Sequence, residues 1–209
     1  MPEELGKLEK PEAGQFAGRR KLYFIPLAAI SPEGDTEYAG HFEKYWAQVG
    51  EQLAGLELKL GVIRKIYHEF IAEGGEAGVK TAGLLNPKSA AIISEQFGRG
   101  AMLEAIEDEA LLGEFIDWSR CLNVGLQSEA ALSAVLKYYQ ETGKKRNEHL
   151  AKRIDETLGA GEAGILFMRE GHQLQFAKDI QVIYVAPPAL DELKRWLRER
   201  ASERDEKDK

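Results

Sequence analysis

The chain reads as an α/β protein. The expected architecture is a small, mostly parallel sheet of about four strands covered by helices, with a large helical insertion between the second and third strands. Three observations predict this. Leu22–Leu27, Gly164–Met168 and Ile180–Val185 are short and almost wholly apolar, as strands buried on both faces of a parallel sheet should be. The segments between them place apolar residues at spacings of three and four, the period of a helix with one buried face. Apolar residues make up 44% of the 209 positions and charged residues 30%, enough for a core beneath a heavily charged surface.

Residues 1–20 are rich in Glu, Lys, Gly and Pro and are expected to form a disordered arm. Leu22-Tyr23-Phe24-Ile25-Pro26-Leu27 is aromatic and β-branched, a strand signature. Pro26 has no N–H for a ladder, so it belongs at the strand's end or on a sheet edge. Asp35 or Thr36 caps a helix whose inner face is Tyr38, Phe42, Tyr45, Trp46, Val49 and Leu53. At that spacing an aromatic stripe is core rather than a ligand platform. Leu56 to Ile71 fits both strand and helix, and the flanking Gly61 and Gly74-Gly75 favour a strand.

From Glu76 to about Asn123 the periodicity is helical. Asn86-Pro87-Lys88-Ser89 opens one helix with Pro at its first turn, and Gly98-Arg99-Gly100 breaks it. Ala101 to Leu122 reads as a second helix, and Ser128 caps a third with Leu132, Val135, Leu136 and Tyr139 inward. Gly143 is a point where this helix kinks or divides from Arg146–Leu158. Gly159-Ala160-Gly161 stops it. The link from Met168 to Ile180 is too short for a crossover helix, so Gln173–Phe176 is expected to turn back as a hairpin arm. Pro187-Pro188 opens the last helix, Ala189 to about Arg200. Residues 201–209 are expected to be a disordered charged tail. No low-complexity linker interrupts residues 21–200, which read as one domain.

Net charge is −7 with a pI near 5.3. Nucleic-acid binding needs a basic footprint and is disfavoured. The lone Cys121 forms no internal disulfide and reads as a small buried apolar residue. Residues 1–15 lack the apolar region of a signal peptide. No apolar stretch approaches the ~20 residues that span a bilayer. A soluble, cytoplasmic, membrane-free protein is the expectation. No cofactor, metal or oligomeric state follows from the residues.

The densest group of ionisable residues beside core is Arg169-Glu170-Gly171-His172, at the end of the Gly164–Met168 strand. The C-terminal edge of a parallel sheet is where loops carry ligand contacts on a rigid base. His172 suits a general base or metal ligand, Glu170 its orienter or an acid, and Arg169 an anion clamp. The simpler reading is a charged turn in which Gly171 supplies a positive φ. On the preceding helix, Arg146 and His149 share a face, as do His149 and Arg153, and are candidates to reach the strand end. If the ambiguous Leu56–Ile71 run is a strand parallel to Ile165–Met168, His68 and Glu69 emerge at the same edge. Two histidines and a glutamate would then suffice for acid–base chemistry or a metal. Glu104, Glu107, Asp108 and Glu109 read as a solvated acidic face.

The stretch Arg146…Ala151-Lys152-Arg153-Ile154…Leu158…Glu162-Ala163-Gly164-Ile165-Leu166-Phe167…His172 resembles the late helix–strand–His segment of TraB-type putative hydrolases. Those proteins also carry an earlier strand ending in Gly-x-x-His, whereas the first strand here ends Ile25-Pro26-Leu27. The expected function is a hydrolase with a His/Glu/Arg site made of His172, Glu170, His68 and Glu69, with Arg169, Arg146 and His149 as ligand contacts. The alternative is a non-catalytic binding or regulatory protein acting through its charged helices and tails.

Overall fold

A computed structural model describes residues 18–28 and 35–207. Five parallel strands form one sheet in the order β3-β2-β4-β1-β5. They are β1 (Arg20–Pro26), β2 (Ile63–His68), β3 (Met102–Leu103), β4 (Ala163–Met168) and β5 (Ile180–Tyr184). The helices are α1 (Thr36–Leu60), α2 (Gly75–Leu85), α3 (Pro87–Gly98), α4 (Glu109–Asn123), α5 (Glu129–Thr157) and α6 (Pro188–Lys207).

Alternation along the central strands divides the interior into two cores. Tyr23, Ile25, Ile66, Ile165 and Phe167 point to a face covered by α1, α3 and α6, through Tyr45, Trp46, Val49, Ile93, Leu190 and Leu193. Leu22, Phe24, Tyr67, Leu166 and Met168 point to the other face, where Leu150, Ile154 and Leu158 of α5 meet them. Each such side chain, fully buried, contributes about 1.5–3 kcal/mol. The aromatic stripe of α1 is core: all six of its predicted residues are buried. The Tyr45 hydroxyl donates to the Pro26 carbonyl at 2.5 Å, fixing the end of β1. At the opposite end, Arg20 bonds Asp155 and Asp179, and its Nη1 donates to the Asp155 carbonyl at 2.7 Å. One guanidinium thus joins β1 to the end of α5 and the start of β5.

Several sequence signals act as expected. Asp35 caps α1, Asn86 caps α3 with Pro87 in its first turn, and Ser128 caps α5. Pro26 is the last residue of its strand.

The expected α/β architecture, a parallel sheet covered by helices, is present, and its details differ. The sheet has five strands, all parallel, because Met102–Leu103 forms a two-residue edge strand where helical periodicity was expected. That strand divides the helical insertion into α2–α3 and α4–α5. The Met168–Ile180 link does not turn back. It crosses the second core without a helix, burying Leu174 and leaning Phe176 on that face, and delivers β5 parallel to β1. Helix α5 runs unbroken through Gly143, where a Cβ would come within 3.4 Å of the Phe115 ring. The glycine accommodates α4 rather than a kink. Cys121 is half-buried on α4, a helix with no fully buried residue. Helix α6 continues through part of the expected tail to Lys207. The N-terminal arm lies outside the described residues up to 17. Among the described residues, no helix is long and apolar enough to cross a membrane.

Candidate functional site

Ligand crevices in open α/β sheets form where neighbouring strands send their connections to opposite faces. Here β2 leads to α2 on the first face, while β4 leads into the segment that covers the second. The ends of β2 and β4 therefore border a crevice, and Glu69 and Arg169 stand at its base.

Glu69 is 2% exposed and fully engaged. It accepts hydrogen bonds from the backbone N–H of Arg169 at 2.9 Å, from Arg169 Nη2 at 3.1 Å and from Arg146 Nη2 at 3.3 Å. Arg146 also bonds Glu107, through Nε at 2.8 Å and through Nη2. Arg146 and Glu107 are likewise buried. Burial works against the Arg146 cation, but the hydrogen bonds and charge of Glu107, and then the charge of Glu69, outweigh it and hold its pKa above the ordinary value. Its guanidinium lies 5.1 Å from the Phe70 ring centre and 4.9 Å from that of Phe115. Arg169 stacks on Phe70 as well, at 4.7 Å.

Phe70 is the one non-glycine among the described residues with a positive φ, +70°. That conformation costs on the order of 1–3 kcal/mol and persists where surroundings enforce it. Its N–H donates to Glu107 at 2.9 Å. The turn after β2 is thereby held so that Glu69 enters the ionic cluster and Phe70 stacks on both arginines.

Above this base opens a cavity of about 400 Å³, lined among others by Glu69, Arg146, Asn147, Arg169, Glu170 and His172. Glu69 takes the Nε and Nη2 edge of Arg169. Nη1 has no hydrogen-bond partner among the described residues, and the side chain is 56% exposed. Gly171, at φ +82°, turns the chain between Glu170 and His172. The turn expected at Gly171 is present, and it stands at the mouth of this cavity.

His172 Nδ1 accepts the N–H of Leu174 at 3.2 Å. In the neutral ring this places the proton on Nε2, making it a donor. The ring lies 4.8 Å from Phe24 and 6.1 Å from Phe176. Burial lowers its pKa, and the charge of Glu69 offsets this only in part, so the neutral form prevails at pH 7. Glu170 does not orient His172. One of its oxygens, Oε1, accepts from Lys194 at 2.6 Å and from Tyr184. Burial pushes the carboxyl up, yet these hydrogen bonds leave its pKa below the ordinary value. Oε2 accepts no hydrogen bond among the described residues.

His68 belongs elsewhere. It stacks 5.7 Å from Phe167, in the first core. Its Nδ1 meets the Glu69 carbonyl at 2.6 Å and its Nε2 the Ser89 hydroxyl of α3 at 3.2 Å. A carbonyl only accepts, so Nδ1 carries the proton. Burial lowers the pKa to about 4. His172 rests on Phe24, in the second core. The two histidines therefore lie on opposite faces of the sheet, because the pleat sends His68 and Glu69 in opposite directions. The His68–His172–Glu69 metal triad is not assembled, and no group of three metal-ligating side chains occurs among the described residues. His149 is half-buried on α5 and does not line the cleft. Sequence reasoning missed Glu107, which it placed on a solvated face. Asp108 caps α4 by accepting the Leu111 N–H, so Glu107 precedes the helix. The cap, had it been read, would have freed Glu107 from that face.

Comparison with family models, curated proteins and solved structures finds no match to this chain. The likeness to TraB-type hydrolases rests on the residues between Arg146 and His172 alone. Function is therefore argued from the cleft's own chemistry.

Proposed function

We propose that the protein is a hydrolase whose substrate carries an anionic group held in the cleft between β2, β4 and α5. The observation behind this reading is the selective saturation of the cleft's polar atoms. Glu69 and Glu107 are spent on Arg146 and Arg169, while Arg169 Nη1, Arg146 Nη1, His172 Nε2 and Glu170 Oε2 are uncommitted among the described residues. Three donors and one ionised acceptor on a rigid base suit an anionic substrate attacked by water.

Arg169 clamps the anion, with Glu69 fixing the guanidinium from behind. His172 Nε2–H donates to the oxygen on which charge develops. Glu170 Oε2 takes a proton from water as its oxygen attacks the acyl or phosphoryl centre. The bond to the leaving group breaks, and the leaving group departs with the proton that Glu170 took from water, which returns the carboxylate. Glu107 touches no substrate and acts as a positioning residue through Arg146, whose Nε and Nη2 it holds.

The test is turnover of two anionic esters, p-nitrophenyl phosphate and 4-acetoxybenzoate, by the full chain and by Glu170→Gln. Loss of a general base lowers kcat by about 10²–10⁴-fold. Turnover of either probe that is equal in the two proteins overturns the assignment.

A non-catalytic binding role draws on one observation. Val124, Leu132, Leu136 and Tyr138 of the α4–α5 hairpin are exposed. Concentration-dependent self-association, abolished by Leu136→Asp, is what that reading expects in analytical ultracentrifugation.

A further inference from the structure

A second cavity, of about 590 Å³, opens at the C-terminal end of β1, between the start of α1 and α6. Its walls are mainly apolar, with Pro26, Leu27, Leu190, Leu193 and Leu197 beside the rings of Tyr38 and Trp196. The volume and lining are those of a small-molecule pocket. Its two cations are already engaged. Lys194 pairs with Glu170 at 2.6 Å, and Arg200 pairs with Asp35 at 2.6 Å while stacking 4.7 Å from the Trp196 ring. The cavity therefore holds apolar matter but offers no uncommitted cation for a charged head.

Glu170 lines both this cavity and the anion cleft. The two lie on opposite faces of the sheet and meet at its C-terminal edge, across the Glu170–Lys194 pair. One offers uncommitted polar atoms on a wall that is about half polar, and the other is mainly apolar with its cations paired. We infer that the substrate is an amphiphilic anion. Its charged head sits at Arg169 and His172, and its aliphatic or aryl body passes over Glu170 into the cavity under α6. This rests on the proposed anion cleft and adds the substrate's apolar body to it. It also places the bond to be hydrolysed at the junction, beside Glu170, where head and body meet.

The test is calorimetric titration of the full chain with inorganic phosphate, methyl phosphate and hexyl phosphate. Affinity should rise from methyl to hexyl by about three- to fourfold per added methylene, the gain expected for burying each one. Leu197→Glu should abolish that rise and leave the inorganic phosphate affinity unchanged. Leu197 is 43% exposed, so the charge is carried without unfolding. Ala201→Trp, on an exposed position at the cavity mouth, should blunt the same rise by filling the space. Arg169→Ala should weaken all three ligands alike. Equal affinity for methyl and hexyl phosphate overturns the inference and leaves the anion cleft standing. So does a chain-length gain that survives both cavity variants. Hexyl phosphate binding that ignores Arg169→Ala separates the two cavities and also overturns it. Absence of any phosphate binding overturns the cleft itself.

Discussion

Replacing Arg146 with Met keeps most of the side chain's volume and removes its charge. Arg146 is 3% exposed, and its partners Glu69 and Glu107 are 2% and 5% exposed. The wild-type guanidinium makes three hydrogen bonds to them and lies against two rings. After substitution Glu69 keeps Arg169, but Glu107 keeps only the Phe70 N–H. Breaking a buried pair from one side costs about 3–5 kcal/mol, because the remaining charge is stranded away from water. Against a total stability of about 5–15 kcal/mol this is a large fraction. For a chain of this size each kcal/mol moves Tm by roughly 2–4 °C, so the midpoint should fall by about 6–20 °C. Urea unfolding followed by circular dichroism measures the loss. Adding Glu107→Leu removes the stranded charge, so the double variant should recover part of it, with a coupling of about 0.5–3 kcal/mol. A loss below about 1 kcal/mol for Arg146→Met, or strict additivity in the double variant, refutes the claim that the cluster is sealed and coupled.

Acid should destabilise the fold through His68. Burial holds its pKa near 4, while the unfolded imidazole titrates near 6.5. Between those values the unfolded chain binds more protons, so stability is complete above about pH 6.5 and falls as pH drops toward 4. The full difference is roughly 3 kcal/mol. His68→Gln should flatten the stability profile across this window, and an unchanged slope in urea melts contradicts the account. Gly78→Ala places a Cβ 2.3 Å from the Glu73 carbonyl oxygen and 2.7 Å from Leu103 Cδ2. Overpacking of this kind costs about 1–3 kcal/mol, and thermal melts showing no loss would mean that the α2–β3 contact yields freely. Phe70→Gly relieves the positive φ but removes the ring stacked on both arginines. It should weaken anion binding more than it lowers Tm, and an unaltered affinity would show that the ring does not hold Arg169.

Much of the fold was readable because its signals are local. Caps at Asp35, Asn86 and Ser128, the stop at Gly159–Gly161 and the apolar runs of β1 and β4 depend on neighbours in sequence. The edge strand β3 was not readable, since two residues of pairing leave no periodicity. The same limit explains the α4 boundary and, through it, Glu107. Parallel delivery of β5 was hidden because the crossover packs Leu174 and Phe176 onto the second core without forming a helix. At the candidate site, Arg146, Glu69, Arg169, Glu170 and His172 were identifiable as ionisable residues beside buried strands. His68 was not separable from Glu69, since adjacent residues on a strand diverge only once the pleat is fixed.

The central claim is that Arg169 and His172 form an anion site on the buried Glu69–Arg146–Glu107 base. Titration of the full chain with inorganic phosphate, followed by calorimetry or by chemical shifts of the His172 ring, tests it most directly. The account predicts one saturable site that perturbs His172 and leaves His68 unmoved, with affinity falling about tenfold or more in Arg169→Ala. Absence of saturable binding, or equal affinity in Arg169→Ala, would contradict it.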